Sequence, residues 1–372
     1  NSNTAVGKYA MLYTTTGAEN VAVGAGALQA NTEGSNNTAV GVECLDANTT
    51  GTQNAAFGKT SMSSNTKGNN NTAFGAYSLK LNTTGVSHTA IGHNALDACT
   101  TGNNNTAVGK DALGALTTGG HNVACGLNAL VAQTTSNNCT AMGSGAGFAL
   151  TTSDKSTLIG REAGVAVTTG SNNTLIGGSA GYNITTGGQN SVLGTNARPS
   201  SSGATSQIIL GYNVGGSANS RITVGDGSNV AELDLNGSDT SWAASSDVRL
   251  KENIQDSNAG LSFINDLRPV TFDWKKKKDI DSSLENYHEE NCEDRIHGDE
   301  GKTYHGFIAQ EIQETLSNHS EVMNGLGFLN SRDDGVLTAA PSALVPILVK
   351  SIQELSAKCD SLQEEINELK GK

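Results

Sequence analysis

The sequence predicts a mainly β chain. A β-solenoid (a β-roll of 17-residue repeats) covers residues 1–211, and a small α+β domain ending in a coiled-coil helix follows. Three observations carry this reading. A glycine recurs every 17 residues from Gly7 to Gly211, thirteen times and with no insertion. Glycine fills 45 of 372 positions while aromatic residues make up only 4%, which excludes an aromatic-rich core over most of the length. The composition then changes abruptly: residues 1–245 hold 9 Lys+Arg against 12 Asp+Glu, and residues 246–372 hold 14 against 24.

Each repeat reads close to N-T-A-V-G-x-x-A-L-x-x-x-T-T-G-x-N. The residue before the marker glycine is apolar in every copy, from Val6 and Val23 through Phe57, Phe74 and Ile91 to Leu193 and Leu210. Four residues after it stands a second apolar site, Met11, Leu28, Leu45, Met62, Leu79, Leu96, Leu113 and Leu130, and a Thr-Thr-Gly corner such as Thr83-Thr84-Gly85 follows. Seventeen residues are too few for a helical hairpin and suit one coil of two short strands and two corners, with glycine at the tight bends. An unbroken period stacks like residues on one another, so Asn, Thr and Val ladders run along the axis. At about 4.8 Å per coil the thirteen coils make a rod roughly 60 Å long. Two residues ahead of the glycine, Ala in the first nine copies gives way to Leu158, Leu175, Val192 and Ile209. That change is expected to make both strand faces apolar, and packing of three rolls about an axis would bury the second face. The period is lost after Gly211; residues 206–210, 221–224 and 230–235 read as short strands, the last two in a β-rich neck, 212–245.

Composition also excludes some functions. The net charge of −13 includes no basic stripe, so nucleic acid is not an expected partner. No apolar run approaches the length of a membrane span, so no membrane insertion is expected. Cys44, Cys99, Cys125, Cys139, Cys292 and Cys359 include no C-x-x-C pair and read as small apolar groups, which fits assembly in a reducing cytoplasm. Neither a metal nor a cofactor is expected. The basic block at residues 275–278 runs straight into acidic sequence and reads as a solvated loop. The chain opens inside a repeat, as expected of a piece of a longer protein.

In residues 246–372 four blocks stand out. They are Ser246-Asp247-Val248-Arg249-Leu250-Lys251-Glu252-Asn253-Ile254, Leu267-Arg268-Pro269-Val270-Thr271-Phe272-Asp273-Trp274, His305-Gly306-Phe307-Ile308-Ala309-Gln310-Glu311, and residues 344–355. An acidic segment, 279–302, reads as an insertion. In the last stretch Val345, Leu348, Ile352, Leu355, Cys359, Leu362, Ile366 and Leu369 alternate three and four apart, a coiled-coil seam within 342–370. Spacing alone does not set the number of strands.

With its four blocks in order, this region resembles the C-terminal intramolecular chaperone of phage endosialidases, tail spikes and tail fibres. The resemblance implies a chaperone that trimerises, registers the upstream chains and then releases itself by proteolysis. It implies Ser246 as nucleophile, Lys251 as general base and a cut between Ser245 and Ser246. Such a pair needs a hydroxyl beside a neutral amine, a recognised variant of the serine nucleophile. By itself S-x-x-x-x-K carries almost no information, and a spacing of five requires a bend. No activity on external substrates is expected. The repeat also resembles the β-roll heads of trimeric adhesins, although the membrane anchor that ends that family is not found.

The whole therefore reads as a virion fibre or spike: a homotrimer, assembled in the host cytoplasm, that contacts other virion proteins and a host-surface receptor or glycan. The alternatives are a bacterial-type trimeric adhesin and a glycan-degrading tail spike. The second would need paired carboxylates at a groove, whereas Glu19, Glu33, Glu43, Asp46 and Asp97 are scattered over the coil.

Overall fold

The structure is a computed structural model that describes residues 2–235, 243–244, 248, 252–284, 288–296, 302–319, 322, 328–331 and 336–371. The chain divides into two compact units, Asn1–Asp247 and Val248–Lys372.

In the first unit, strands β1 (Thr4–Val6) to β12 (Ser191–Leu193), each three residues long, and β13 (Ile208–Tyr212) lie side by side in one parallel sheet. Neighbours pair 17 residues apart, as Thr38 with Ala55 and Val40 with Phe57. The solenoid is therefore real, but each coil holds one strand, not the two expected. The reason is backbone geometry. The residues two and four after the marker glycine take left-handed φ, for example Glu43 at +54° and Leu45 at +52°. A residue in that region turns the chain and cannot extend a strand. The turn segments still stack, with the Leu28 N–H donating to the Cys44 carbonyl at 3.0 Å and Leu45 N–H to Ser61 at 3.0 Å.

The marker glycines are required twice over. Gly92 has φ +135°, and a Cβ there would lie 2.5 Å from the carbonyl oxygen of Gly109 in the next coil.

Two buried polar ladders hold the interior. In the first, the Asn37 N–H donates to Asn20 Oδ1 at 2.9 Å and Asn37 Nδ2 donates to the Gly51 carbonyl at 2.8 Å, and the pattern repeats down the axis. In the second, Asn48 Nδ2 donates to Asn31 Oδ1 and Asn65 Nδ2 to Asn48 Oδ1, both at 2.9 Å. That ladder stops at Asn82, whose Oδ1 is buried without a protein partner, because Cys99 stands where the next Asn would be. Outside them, threonine hydroxyls donate along the axis, as Thr49 Oγ1 to the Thr66 carbonyl at 3.0 Å.

The residue two before the marker points into the coil. Ala22, Ala39, Leu158 and Leu175 are all fully buried. The change from Ala to Leu is therefore not a second apolar face, and the expectation drawn from it is corrected. The extra volume is balanced inside: the buried Leu130 position becomes Gly147, then Gly164 and Gly181. A Cβ at Gly147 would sit 2.7 Å from both Leu130 and Leu158 methyls, so Leu158 fills the space that a leucine at 147 would need.

One coil carries a coupled change. His88 replaces an Asn of the first ladder, and Cys99 replaces its neighbour in the second. The Asn105 N–H donates to His88 Nδ1 (3.3 Å), so His88 Nε2 carries the proton and donates to the Gly102 carbonyl (2.7 Å). A second proton on Nδ1 would face an N–H donor. Burial lowers the His88 pKa, against the raising effect of the Gly102 and Asn105 backbone bonds, and burial pushes the nearby Cys99 thiol up to about 11. With the folded value depressed, the unfolded chain takes the proton first as pH falls. His88 therefore leaves stability intact above its ordinary pKa of 6.5 and removes it as pH drops below that value toward the folded one. Urea unfolding between pH 7.5 and 5 is expected to show a loss that shrinks in the paired variant His88→Asn/Cys99→Asn, which restores the first ladder, extends the second by one rung and gains about 1 kcal/mol at neutral pH. Equal pH slopes in the two proteins would contradict this account.

Beyond Gly211 the sheet changes character. β14 (Arg221–Asp226) pairs parallel with β13 at a 14-residue offset, and β15 (Asn229–Asp234) folds back antiparallel. Arg221 bridges Glu232 and Asp234 across that hairpin, each at 3.1 Å. β16 (Ala243–Ala244) adds a last antiparallel strand.

The second unit is small. Helices α1 (Leu261–Asp266), α2 (Ala309–Asn318) and α3 (Val345–Lys370) accompany two antiparallel strand pairs, β17 (Val270–Phe272) with β18 (Tyr304–Gly306) and β19 (Leu329–Ser331) with β20 (Leu337–Ala339). Its core is Ala259, Phe263, Leu267, Ile312, Val322, Phe328, Leu344 and Ile347. The lysine block is not simply solvated: Lys276 and Lys278 pair with Glu293, and Lys277 with Glu289 at 2.8 Å. These exposed pairs hold the Glu293 carboxyl down to about 2, and they tie the acidic insertion to the lysine block it follows.

Candidate functional site

Specific contacts join two of the sequence blocks of the second unit and tie others to helix α1. Arg268, just after α1, pairs with Glu311 in the first turn of α2. Glu354 on α3 accepts the Leu261 N–H at the start of α1 (2.9 Å), and a side chain at Gly260 would collide with that carboxylate. His319, just past α2, lies 2.7 Å through Nε2 from Asp266 Oδ2 and packs edge-on against Phe263. The sequence reading missed these. The signal that separates Glu354 from its neighbours on the helix is its position one turn from the buried Ser351.

Helix α3 has two distinct faces. Ile347, Ser351 and Glu354 face α1, and Ile347 and Ser351 are buried. Leu348, Ile352 and Leu355 lie one residue further round, and they are exposed in the single chain, as are Leu362, Ile366 and Leu369. Ile352 is 67% exposed and Leu369 73%. The seam is thus not the side by which the helix packs on its own unit. From residue 355 to 370 the helix contributes nothing to that core. A lone amphipathic helix of this kind gains most of its stability by packing its apolar face.

Ser245, Ser246 and Lys251 lie outside the described residues. The nearest described positions are Ala243–Ala244 on β16, the exposed Val248 and the stretch from Glu252, in which Asn253 bends the chain with φ +54°. Among the described residues no group of three or more His, Cys, Asp or Glu is placed to hold a metal ion, and no helix is long and apolar enough to cross a membrane.

Residues 246–321 match the family model described as chaperone of endosialidase. The chaperone match begins at Ser246 and takes in α1, α2 and the β17–β18 pair. Helix α3 follows the matched residues. No curated protein and no solved structure matches the chain. A 17-residue solenoid followed by a chaperone segment is consistent with a tail fibre or spike of a phage virion.

Proposed function

We propose that the chain is the subunit of a homotrimeric virion fibre or spike whose C-terminal unit gathers and registers three chains and then cuts itself away before Ser246. The observation that carries this is helix α3, which fixes one face to its own unit and leaves a continuous apolar seam uncovered on another. Identical seams on other chains are the natural cover for it, and the chaperone match beside it points to three chains.

The logic of release is physical. A solenoid of near-identical coils offers many near-equal alignments between chains, so registration by the coils alone is slow. A nucleus at the C-terminus fixes chain number and register before the coils pack, and its removal leaves the finished fibre kinetically trapped. In the cut, Ser246 Oγ attacks the Ser245 carbonyl carbon while Lys251 takes the hydroxyl proton. The Ser245–Ser246 C–N bond breaks as that proton passes to the leaving nitrogen, and water then hydrolyses the ester. The products are a carboxylate at Ser245 and an amine at Ser246. Residues 1–245 remain as the shaft that meets a host-surface receptor or glycan.

The test is denaturing intact mass. Wild type is expected as two fragments split between Ser245 and Ser246, and Ser246→Ala as one 38.1 kDa chain. A single full-length species in both would remove the protease while leaving the chaperone.

A further inference from the structure

The solenoid carries an uncovered face of its own. On every strand from β2 to β12 the middle residue is buried and the two flanking residues point out, and Ile209 on β13 is buried between Ile208 and Leu210 in the same way. The outward residue before the marker glycine is Val, Phe, Ile, Met, Leu or Cys in all thirteen coils, and the other is Thr, Val, Ala, Ser or Ile. Neither position carries a charge in any coil. Charged residues begin only once the chain has turned past the glycine, at Lys8, Lys59, Lys110 and Arg161 and beyond. Within this strip Phe74 is 54% exposed and Leu193 51%, and the rings of Phe57 and Phe74 stack on each other at 4.9 Å.

Parallel sheets occur almost only with both faces covered. Here one face covers the coil interior and the other covers nothing in the single chain. A strip about 60 Å long and about 10 Å wide presents roughly 600 Å², at the upper end of what a monomer leaves exposed and close to one partner's share of a standard interface, roughly 800 Å². A charge-free strip bordered by charge has the layout of an interface core and its rim.

We infer that this strand face is the surface by which the solenoids of three copies pack on one another, parallel and coil against like coil. The inference rests on the threefold assembly proposed above and names the solenoid surface that assembly uses. The repeat itself selects the partner: only a surface with the same 17-residue rise stays complementary over the full length, and a second copy of this chain has it. A polyanion has no charge to meet on this strip, and a glycan has few amide groups or free ring faces. A slip of one coil would keep the chemistry and lose only one layer of contact, which is why the register must be set elsewhere.

Cys125 lies in the strip on β8 (Val123–Cys125), and Cys44, Cys99 and Cys139 are buried inside the coils. In the full-length variant Ser246→Ala/Cys292→Ser/Cys359→Ser, Cys125 is therefore the one accessible thiol. A short bis-maleimide is expected to join chains through it, giving at least tenfold more cross-linked chain than the same protein with Cys125→Ser and Thr118→Cys, where the thiol stands on the exposed Thr-Thr corner. Native mass is read on the same sample. Three chains with Cys125 cross-links support the inference. Three chains with no excess over the Thr118→Cys control overturn it and leave the threefold reading intact. Single chains overturn both.

Discussion

Gly92→Ala is expected to lower the stability of the solenoid by about 3 kcal/mol or more, through backbone strain at φ +135° and a Cβ driven into the next coil. The cost should stay local, because each coil touches only its neighbours. Amide exchange is then expected to accelerate in the coils flanking residue 92, while those near residues 24 and 177 keep their protection. The informative comparison is Gly145→Ala. Gly145 also has positive φ, +68°, but a Cβ there meets only the Glu162 side chain at 3.5 Å. That change should cost about 1 kcal/mol, the ordinary price of a left-handed residue. Equal losses at the two positions would show that axial stacking of the marker glycines is not what the period protects.

The second large effect is expected at the seam of α3. Ile352→Asp with Leu355→Asp places two carboxylates per chain where we put the centre of a three-helix contact. Loss of one buried Ile or Leu costs about 2–5 kcal/mol, and the change is repeated in every chain, so assembly at micromolar concentration should be abolished. The Leu261–Glu354 contact and the buried Ile347 lie on the other face, so the second unit itself should keep its fold. Lys358→Asp, on the same exposed part of the helix but off the seam, is the control and should assemble normally. Normal assembly of the double variant would place the chain-to-chain contact outside α3.

Much of the architecture was legible because the repeat states the same thing thirteen times. The interval fixed one coil as 17 residues and the parallel pairing with it. What the repeat could not state was local conformation. Two strands per coil were expected, yet at the second apolar site Leu28 and Leu45 have φ values of +49° and +52° and turn the chain instead. Burial of the leucine against stacked copies of itself outweighs the preference of the residue. The meaning of Leu158 was misread for a different reason. Taken alone it looks like a new surface, but taken with Gly147 and Gly164 it is a trade of volume inside one coil. Both columns were visible in the sequence, and only their comparison reveals the trade. At the other end of the chain, Ser246 and Lys251 were singled out by resemblance alone. The seam of α3 came from spacing, but the choice of face did not, because Glu354 and Leu355 look equally placed until α1 is known to occupy one side.

The central claim is that the C-terminal unit assembles chains in threes. The most direct test is the native mass of full-length Ser246→Ala beside the same protein carrying Ile352→Asp and Leu355→Asp. The account predicts three chains of 38.1 kDa in the first and one in the second. Single chains in the first, or three in both, would contradict it.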